Sequence, residues 1–258
     1  MLGKLLKYEI KATSRIFLPI YLALTVFAII NRFMNFNADT FNISQGIALT
    51  LYIFILVGMF VVSFVVMIQR FYKNLLSEEG YLMFTLPVNH WAHIVSKSLT
   101  SLMWTILSFI AAFISIVIIA LQGITLPELF RELSQMWDEL YRYLGPSIWH
   151  AIIQMIIGFI IGTLCSNMLI YVSIALGHLS NNHKILASVG SFLGIYALGN
   201  VLSGTIAVNA IPQFSPSPSA LMYYPFGLFW LAIGLCALYT IVYFVVTNLI
   251  LSKRLNLE

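Results

Sequence analysis

Charge is scarce in this sequence. Of its 258 residues, 9% are Asp, Glu, Lys or Arg and 60% are apolar. Soluble domains run near 25% charged and 45–50% apolar, and a water-facing chain of this size needs more polar side chains to cover its surface. Cysteine is nearly absent as well, with two residues. Both Cys165 and Cys236 fall inside apolar runs, not in loops that an oxidising compartment could staple, and read as small packing residues. These shortages exclude a soluble enzyme, a disordered chain and a disulfide-stapled secreted domain. A polytopic membrane protein remains, and the mean hydropathy of +0.95 agrees with it.

Catalytic signatures are missing too. No G-x-x-x-x-G-K-[ST] occurs, so the chain does not hold ATP in the P-loop manner. Neither G-x-S-x-G nor H-E-x-x-H is present. His178 and His183 lack the further ligands a metal would need, and His90 and His93 flank Trp91 as an interfacial anchor. The expectation is therefore no catalytic, cofactor-binding or metal-ligating residue. No apolar run carries Asp, Glu or Lys, the groups that ion-driven carriers usually place at the midplane. A transporter of this composition would take its energy from an external motor.

What is abundant is long apolar runs. A hydrocarbon core of roughly 30 Å needs about 20 such residues per helix. Six stretches qualify: Ile16–Met34, Ile47–Ile68, Leu99–Leu121, Ser147–Leu176, Ile185–Val208 and Pro225–Leu251. They are continuous rather than alternating, which predicts an all-α fold of six transmembrane helices rather than a barrel. The first is followed by Asn31-Arg32-Phe33-Met34 instead of a small-x-small cleavage site, so it reads as a retained span. With the N-terminus inside, Lys4, Lys7, Lys11, Arg15, Arg70, Lys73, Lys97, Lys184, Lys253 and Arg254 lie inside, and Arg32, Arg131 and Arg142 outside. This bias predicts both termini on the cytoplasmic side. It also explains the basic balance without a nucleic-acid partner.

Three segments outside the spans have character. Residues 1–15 place Leu2, Leu5, Leu6, Glu9 and Ile10 near one helical side and Lys4, Lys7 and Lys11 near another; Glu9 interrupts the apolar side, and the pattern predicts an amphipathic interfacial helix. Residues 16–258 then form a single six-helix domain. The outer segment 122–146 repeats Leu126, Leu129, Phe130, Leu133, Met136, Trp137, Leu140 and Leu144 at steps of three and four, opens with Thr125-Leu126-Pro127-Glu128 and closes with Gly145-Pro146. It predicts an amphipathic helix resting on the bilayer or on the spans. The uncharged outer loop 209–224 carries Pro212, Pro216 and Pro218 and cannot be one straight helix.

The inner loop 69–98 is too long for a simple hairpin and too apolar for a solvated linker. Within it Asn74, Leu75, Glu78, Glu79, Gly80, Tyr81, Leu82, Met83, Phe84, Leu86 and Pro87 combine an acidic pair with an aromatic patch ended by proline. Such a patch in a cytosolic loop suits the docking of a soluble partner. In the spans, Gly158-Phe159-Ile160-Ile161-Gly162 and Gly190-Ser191-Phe192-Leu193-Gly194 are G-x-x-x-G motifs that permit close helix approach, within one bundle or between subunits. Thr163, Ser166, Asn167 and Asn200 read either as polar glue or as cavity lining.

The layout resembles a permease subunit of the ABC-2 type of ABC transporter, as found among exporters of Gram-positive bacteria. The resemblance is sharpest in Leu2-Gly3-Lys4-Leu5-Leu6-Lys7-Tyr8-Glu9, in Phe71-Tyr72-Lys73-Asn74-Leu75 and in Glu79-Gly80-Tyr81-Leu82-Met83-Phe84-Thr85-Leu86-Pro87. It implies a second permease subunit, the same or related, separate ABC ATPase subunits that hold ATP and Mg, and membrane lipid as the surroundings. It implies that residues 74–87 carry force from the ATPases rather than chemistry, so that the chain is a transport subunit and not an enzyme. The implied cargo is amphipathic or lipid-like, antimicrobial or toxin-like peptides included. The chain departs from the family in placing its larger outer element between spans three and four, where family members often place it between the last two. The alternative reading is a membrane sensor or assembly protein that uses the same loop to dock another soluble partner.

Overall fold

A computed structural model of the chain describes residues 2–34, 43–76, 89–121, 125–180, 183–210 and 220–253. Among the described residues seven α-helices follow in order: α1 Leu2–Phe33, α2 Ile43–Leu75, α3 His90–Ala120, α4 Leu126–Leu144, α5 Ile148–Gly177, α6 Lys184–Ala210 and α7 Ala220–Lys253. A short 3-10 turn, Gly145–Ser147, links α4 to α5. No strand occurs among the described residues. Six helical segments are long and apolar enough to cross a membrane. The reason is physical: in hydrocarbon every backbone N–H and C=O must be satisfied within the segment, and a helix does this alone. Several hydroxyls in the spans are satisfied by the same helix's carbonyls. Thr25, Ser63 and Thr247 each donate to the carbonyl four residues back, at 2.7–2.8 Å.

The interfacial helix expected over 1–15 and the span expected from Ile16 are one continuous helix, α1. Nothing at Ser14-Arg15-Ile16 stops a helix, and Pro19 lies inside α1 without ending it. The lysines of the first turns remain exposed, while Glu9, Thr13 and Phe17, at four-residue steps, are buried.

By its contacts the chain forms two compact units. The first comprises Met1–Met67 and Leu99–Gly145. Its core joins Leu24 and Ala28 of α1, Tyr52 and Met59 of α2 and Ala112 of α3, with Phe17, Val66 and Trp104 forming a second cluster. A polar ladder runs beside it on one face of α3. Trp104 donates through Nε1 to Thr13 Oγ1 at 2.7 Å, Ser108 shares a hydrogen bond with Tyr21 Oη at 2.9 Å, and Ser115 shares one with Tyr52 Oη at 2.9 Å. Asn31 of α1 donates to the Ala48 carbonyl of α2 at 3.1 Å. Between spans, where lipid is as apolar as leucine, such bonds and close packing replace the hydrophobic effect as the source of association.

Helix α4 also belongs to this unit, and its ends are those the sequence predicts. Glu128 accepts from the backbone N–H and hydroxyl of Thr125 at 2.8 and 2.9 Å, and both bonds hold its carboxyl below the usual carboxylate range. Gly145 ends the helix at φ 55°, a left-handed value that glycine adopts without a Cβ penalty. None of the α4 residues is buried. Its apolar stripe of Leu126, Phe130, Leu133, Trp137 and Leu140 is exposed, so among the described residues it does not rest on a span.

The second unit comprises Ile68–Ser98 and Pro146–Glu258. Helix α5 contacts both α6 and α7, whereas contact between α6 and α7 is slight. Burial in α5 is concentrated in its last third, from Asn167 to Gly177. The division between the units falls within α2, after Met67, and within α3, after Ser98.

Candidate functional site

The loop expected to couple to a partner leaves the second unit from its most tightly packed region. The last two turns of α2 bury Phe71 and Leu75 completely, with Asn74 and Leu76 nearly so. The first turns of α3 bury Ile94 completely and Ala92, His93, Ser96 and Lys97 nearly so. The Phe71 ring stacks on the Tyr171 ring of α5, with centroids 4.0 Å apart and planes 7° from parallel. The next residue, Tyr72, is rotated by about 100° around α2 and is exposed, and its ring meets that of His178 at 5.3 Å. Of the predicted coupling residues, Asn74 and Leu75 thus form the root of the loop. Glu78, Glu79, Gly80, Tyr81, Leu82, Met83, Phe84, Leu86 and Pro87 lie outside the described residues.

The connection from α5 to α6 is close to this root. A methyl group on Gly177 would lie 2.6 Å from the Ser188 backbone nitrogen and Cα, so only glycine permits this approach of the two helices. His178 follows immediately. Burial, and then the positive charge of Lys184, push its imidazole pKa below the usual histidine value. Its Nε2 is buried with no hydrogen-bond partner among the described residues, which suits the neutral ring. No group of three or more His, Cys, Asp and Glu that could hold a metal occurs among the described residues.

The predicted packing glycines behave differently from one another. A methyl on Gly158 would meet the Ile233 side chain of α7 at 3.6 Å, an ordinary contact. Methyls on Gly162, Gly190 and Gly194 would meet nothing within 4 Å. Among the described residues, contact inside one chain therefore accounts for Gly158 only. The tightest approach, at Gly177, is not part of either G-x-x-x-G motif.

A second feature of this unit is a cleft along α5 and α7. Beside the first turns of α5 it is a mainly apolar slot of about 500 Å³, lined by Ala151, Met155, Gly158, Phe229, Ala232 and Ile233, with Gln154 as a polar side chain in its lining. Towards the middle of the helices it becomes a polar pocket of about 200 Å³, where Ser166 meets Asn200 and Ser203 of α6 and Tyr239 and Tyr243 of α7. Cys236 lines both parts and Cys165 lines the second; both thiols are free. Ser203 and Tyr239 share a hydrogen bond of 3.1 Å, and Tyr239 donates to the Gly199 carbonyl at 3.3 Å. Asn200 donates to the Tyr196 carbonyl at 2.8 Å. Of the two readings open for Ser166 and Asn200, cavity lining is the one observed. Asn167 is buried away from this pocket, and its Nδ2 has no partner among the described residues. The sequence reading missed Ser203, Tyr239 and Tyr243; their signal was polar groups at matching depth in two apolar runs.

Comparison with protein families, curated proteins and solved structures finds no match to this chain. The fold and the site define a multi-pass helical membrane protein.

Proposed function

We propose that the chain is the transmembrane permease subunit of an ATP-driven ABC exporter, moving an amphipathic or lipid-like cargo out of a bacterial cell. It resides in the plasma membrane with both termini in the cytoplasm, an orientation supported by the Lys and Arg asymmetry of the sequence. Two permease subunits, alike or related, pair in the bilayer, and ABC ATPase subunits carrying ATP and Mg dock at loop 69–98.

The observation that carries this reading is the packing at the root of that loop. Phe71, Leu75 and Ile94 are fully buried where the loop leaves and re-enters the helices, and Phe71 is stacked on Tyr171. Close-packed side chains transmit displacement because they are nearly incompressible. A load placed on the loop by ATPase closure passes through these rings into α5, and shifts it between two arrangements of the spans. The loop carries force, and hydrolysis belongs to the partner chain. Resemblance of residues 71–75 and 79–87 to the coupling loop of ABC-2 permeases supports the same assignment.

The test is to look for a spanless P-loop ATPase in the neighbouring reading frames and to co-purify the chain with it, with Tyr81→Asp and Phe84→Asp in the loop. Both variants are expected to lose ATPase association and cargo-stimulated ATP hydrolysis while the spans unfold at the wild-type temperature. Full assembly and full activity in both variants would remove the docking role. Turnover of a substrate by the purified chain without an ATPase would replace the permease reading with an enzyme.

A further inference from the structure

We infer that the α5–α7 cleft is a binding site for a single-chain amphiphile with an uncharged, hydrogen-bonding head, of the fatty-alcohol or monoacylglycerol type. The inference deepens the exporter reading, on which it rests for its role, by naming the class of cargo and the place that holds it.

Helices α5 and α7 run in the same direction through the cleft. Residues 151–158 face residues 229–236 in the slot, and residues 165–169 face residues 236–243 in the pocket. Cys236 lines both cavities, which places the apolar one next to the polar one along α7. From Ala151 to Ser166 the helical rise is about 22 Å, the scale of a long alkyl chain with a small head. Met155 and Phe229 give the slot exposed apolar walls, and Gly158 lies within ordinary contact range of Ile233 at its floor.

The polar part selects the head. It offers hydroxyls and one carboxamide, and among the described residues no Asp, Glu, Lys, Arg or His lines either cavity. Tyr243 Oη and Ser166 Oγ hold no hydrogen bond among the described residues, and the Asn200 carboxamide uses its nitrogen on Tyr196, which leaves its oxygen as an acceptor. Polar groups within a span are costly unless they find partners. A ligand hydroxyl satisfies one donor and one acceptor here at once. A charged head would enter without a counter-charge and would lose its hydration. An ordinary bilayer phospholipid carries a charged phosphate, for which the described lining of the polar part offers no counter-charge.

The experiment uses the full chain, without any ATPase, in phosphatidylcholine nanodiscs containing hexadecanol with a mid-chain diazirine. After photolysis, cross-links are mapped by peptide mass spectrometry. The expected result is labelling concentrated on Met155, Phe229 and Ile233. Monoacylglycerol should compete about tenfold better than hexadecyl sulfate or hexadecyltrimethylammonium. Ala232→Phe, which fills the slot, should lower labelling about tenfold. Gly158→Leu fills it from the opposite helix and serves if the first variant fails to fold. Tyr243→Phe should reduce the preference for hexadecanol over a diazirine-bearing hexadecane. Labels spread evenly over all lipid-exposed helix faces, equal competition by the charged amphiphiles, or labelling that survives both slot-filling variants would overturn the assignment. Labelling as expected, with no extrusion by the ATPase-loaded assembly, would leave the site and remove the exporter reading. ATPase-coupled extrusion without labelling would do the reverse.

Discussion

Phe71 and Tyr171 lie flat against each other, 4.0 Å apart, at the end of α2 where the loop towards α3 begins. Their relative exposures are 0% and 1%, so neither lipid nor water can replace the contact once it is lost. Phe71→Ala leaves a void in this packing and is expected to cost about 3 kcal/mol. Phe71→Leu, which keeps most of the volume, should cost less than half of that. Unfolding of the purified full-length chain in detergent measures both. An alanine variant as stable as wild type would mean that the stack is no support for the loop root.

The indole of Trp104 is held twice, by a stack on Phe17 at 4.5 Å and by its hydrogen bond to Thr13. Trp104→Phe keeps an aromatic ring on Phe17 and removes the donor; Thr13→Val removes the acceptor. Interhelical hydrogen bonds in membranes contribute about 0.6 kcal/mol on average. A double-mutant cycle over these two changes is expected to return a coupling of about 0.6–1 kcal/mol. Zero coupling would show that the bond does not tie α1 to α3.

Gly177 and Gly190 should respond in opposite ways to the same change. At Gly177 an added methyl meets the Ser188 backbone, which cannot move aside without separating α5 from α6. Gly177→Ala is expected to destabilise by about 1–3 kcal/mol. At Gly190 the methyl meets nothing, and alanine is the better helix former. Gly190→Ala in the isolated chain should be neutral or slightly stabilising. Thermal unfolding in detergent separates the two cases, and equal effects would contradict the geometry.

His178 sets a direction for pH dependence. Its folded-state pKa lies below the ordinary value near 6.5, so the unfolded chain takes up a proton that the folded chain resists. The contribution is fully present above the ordinary value and is lost as pH falls through the window between the unfolded and folded values. Melting temperature should therefore drop from pH 7 towards pH 5, more steeply in wild type than in His178→Gln. Tyr72 and Lys184 face the ring and are unchanged in that comparison. Identical slopes in the two proteins would exclude His178 as a source of the decline.

Much of the architecture is legible in residue order. The six spans follow from run length, and α4 from its three- and four-residue steps, its Thr125–Glu128 start and its Gly145 stop, because each rests on local geometry. The break expected after Arg15 is not found, because charge on one face of α1 marks an environment and not a helix end. The G-x-x-x-G motifs named a capacity for close approach, but Gly177, which carries the tightest one, has no such spacing. The polar pocket was only half visible. Ser166 and Asn200 stood out among apolar neighbours, but nothing in their order told which of Ser203, Tyr239 and Tyr243 would meet them.

Composition and run length by themselves determined that this chain is helical, that it crosses a membrane and where its helices run, since the cost of an unpaired peptide group in hydrocarbon leaves no alternative. Only the tertiary structure decided which faces meet. In lipid one apolar face attracts another no more than it attracts an acyl chain, so pairing is set by contacts such as Phe71 on Tyr171, Trp104 on Thr13 and Gly177 against Ser188.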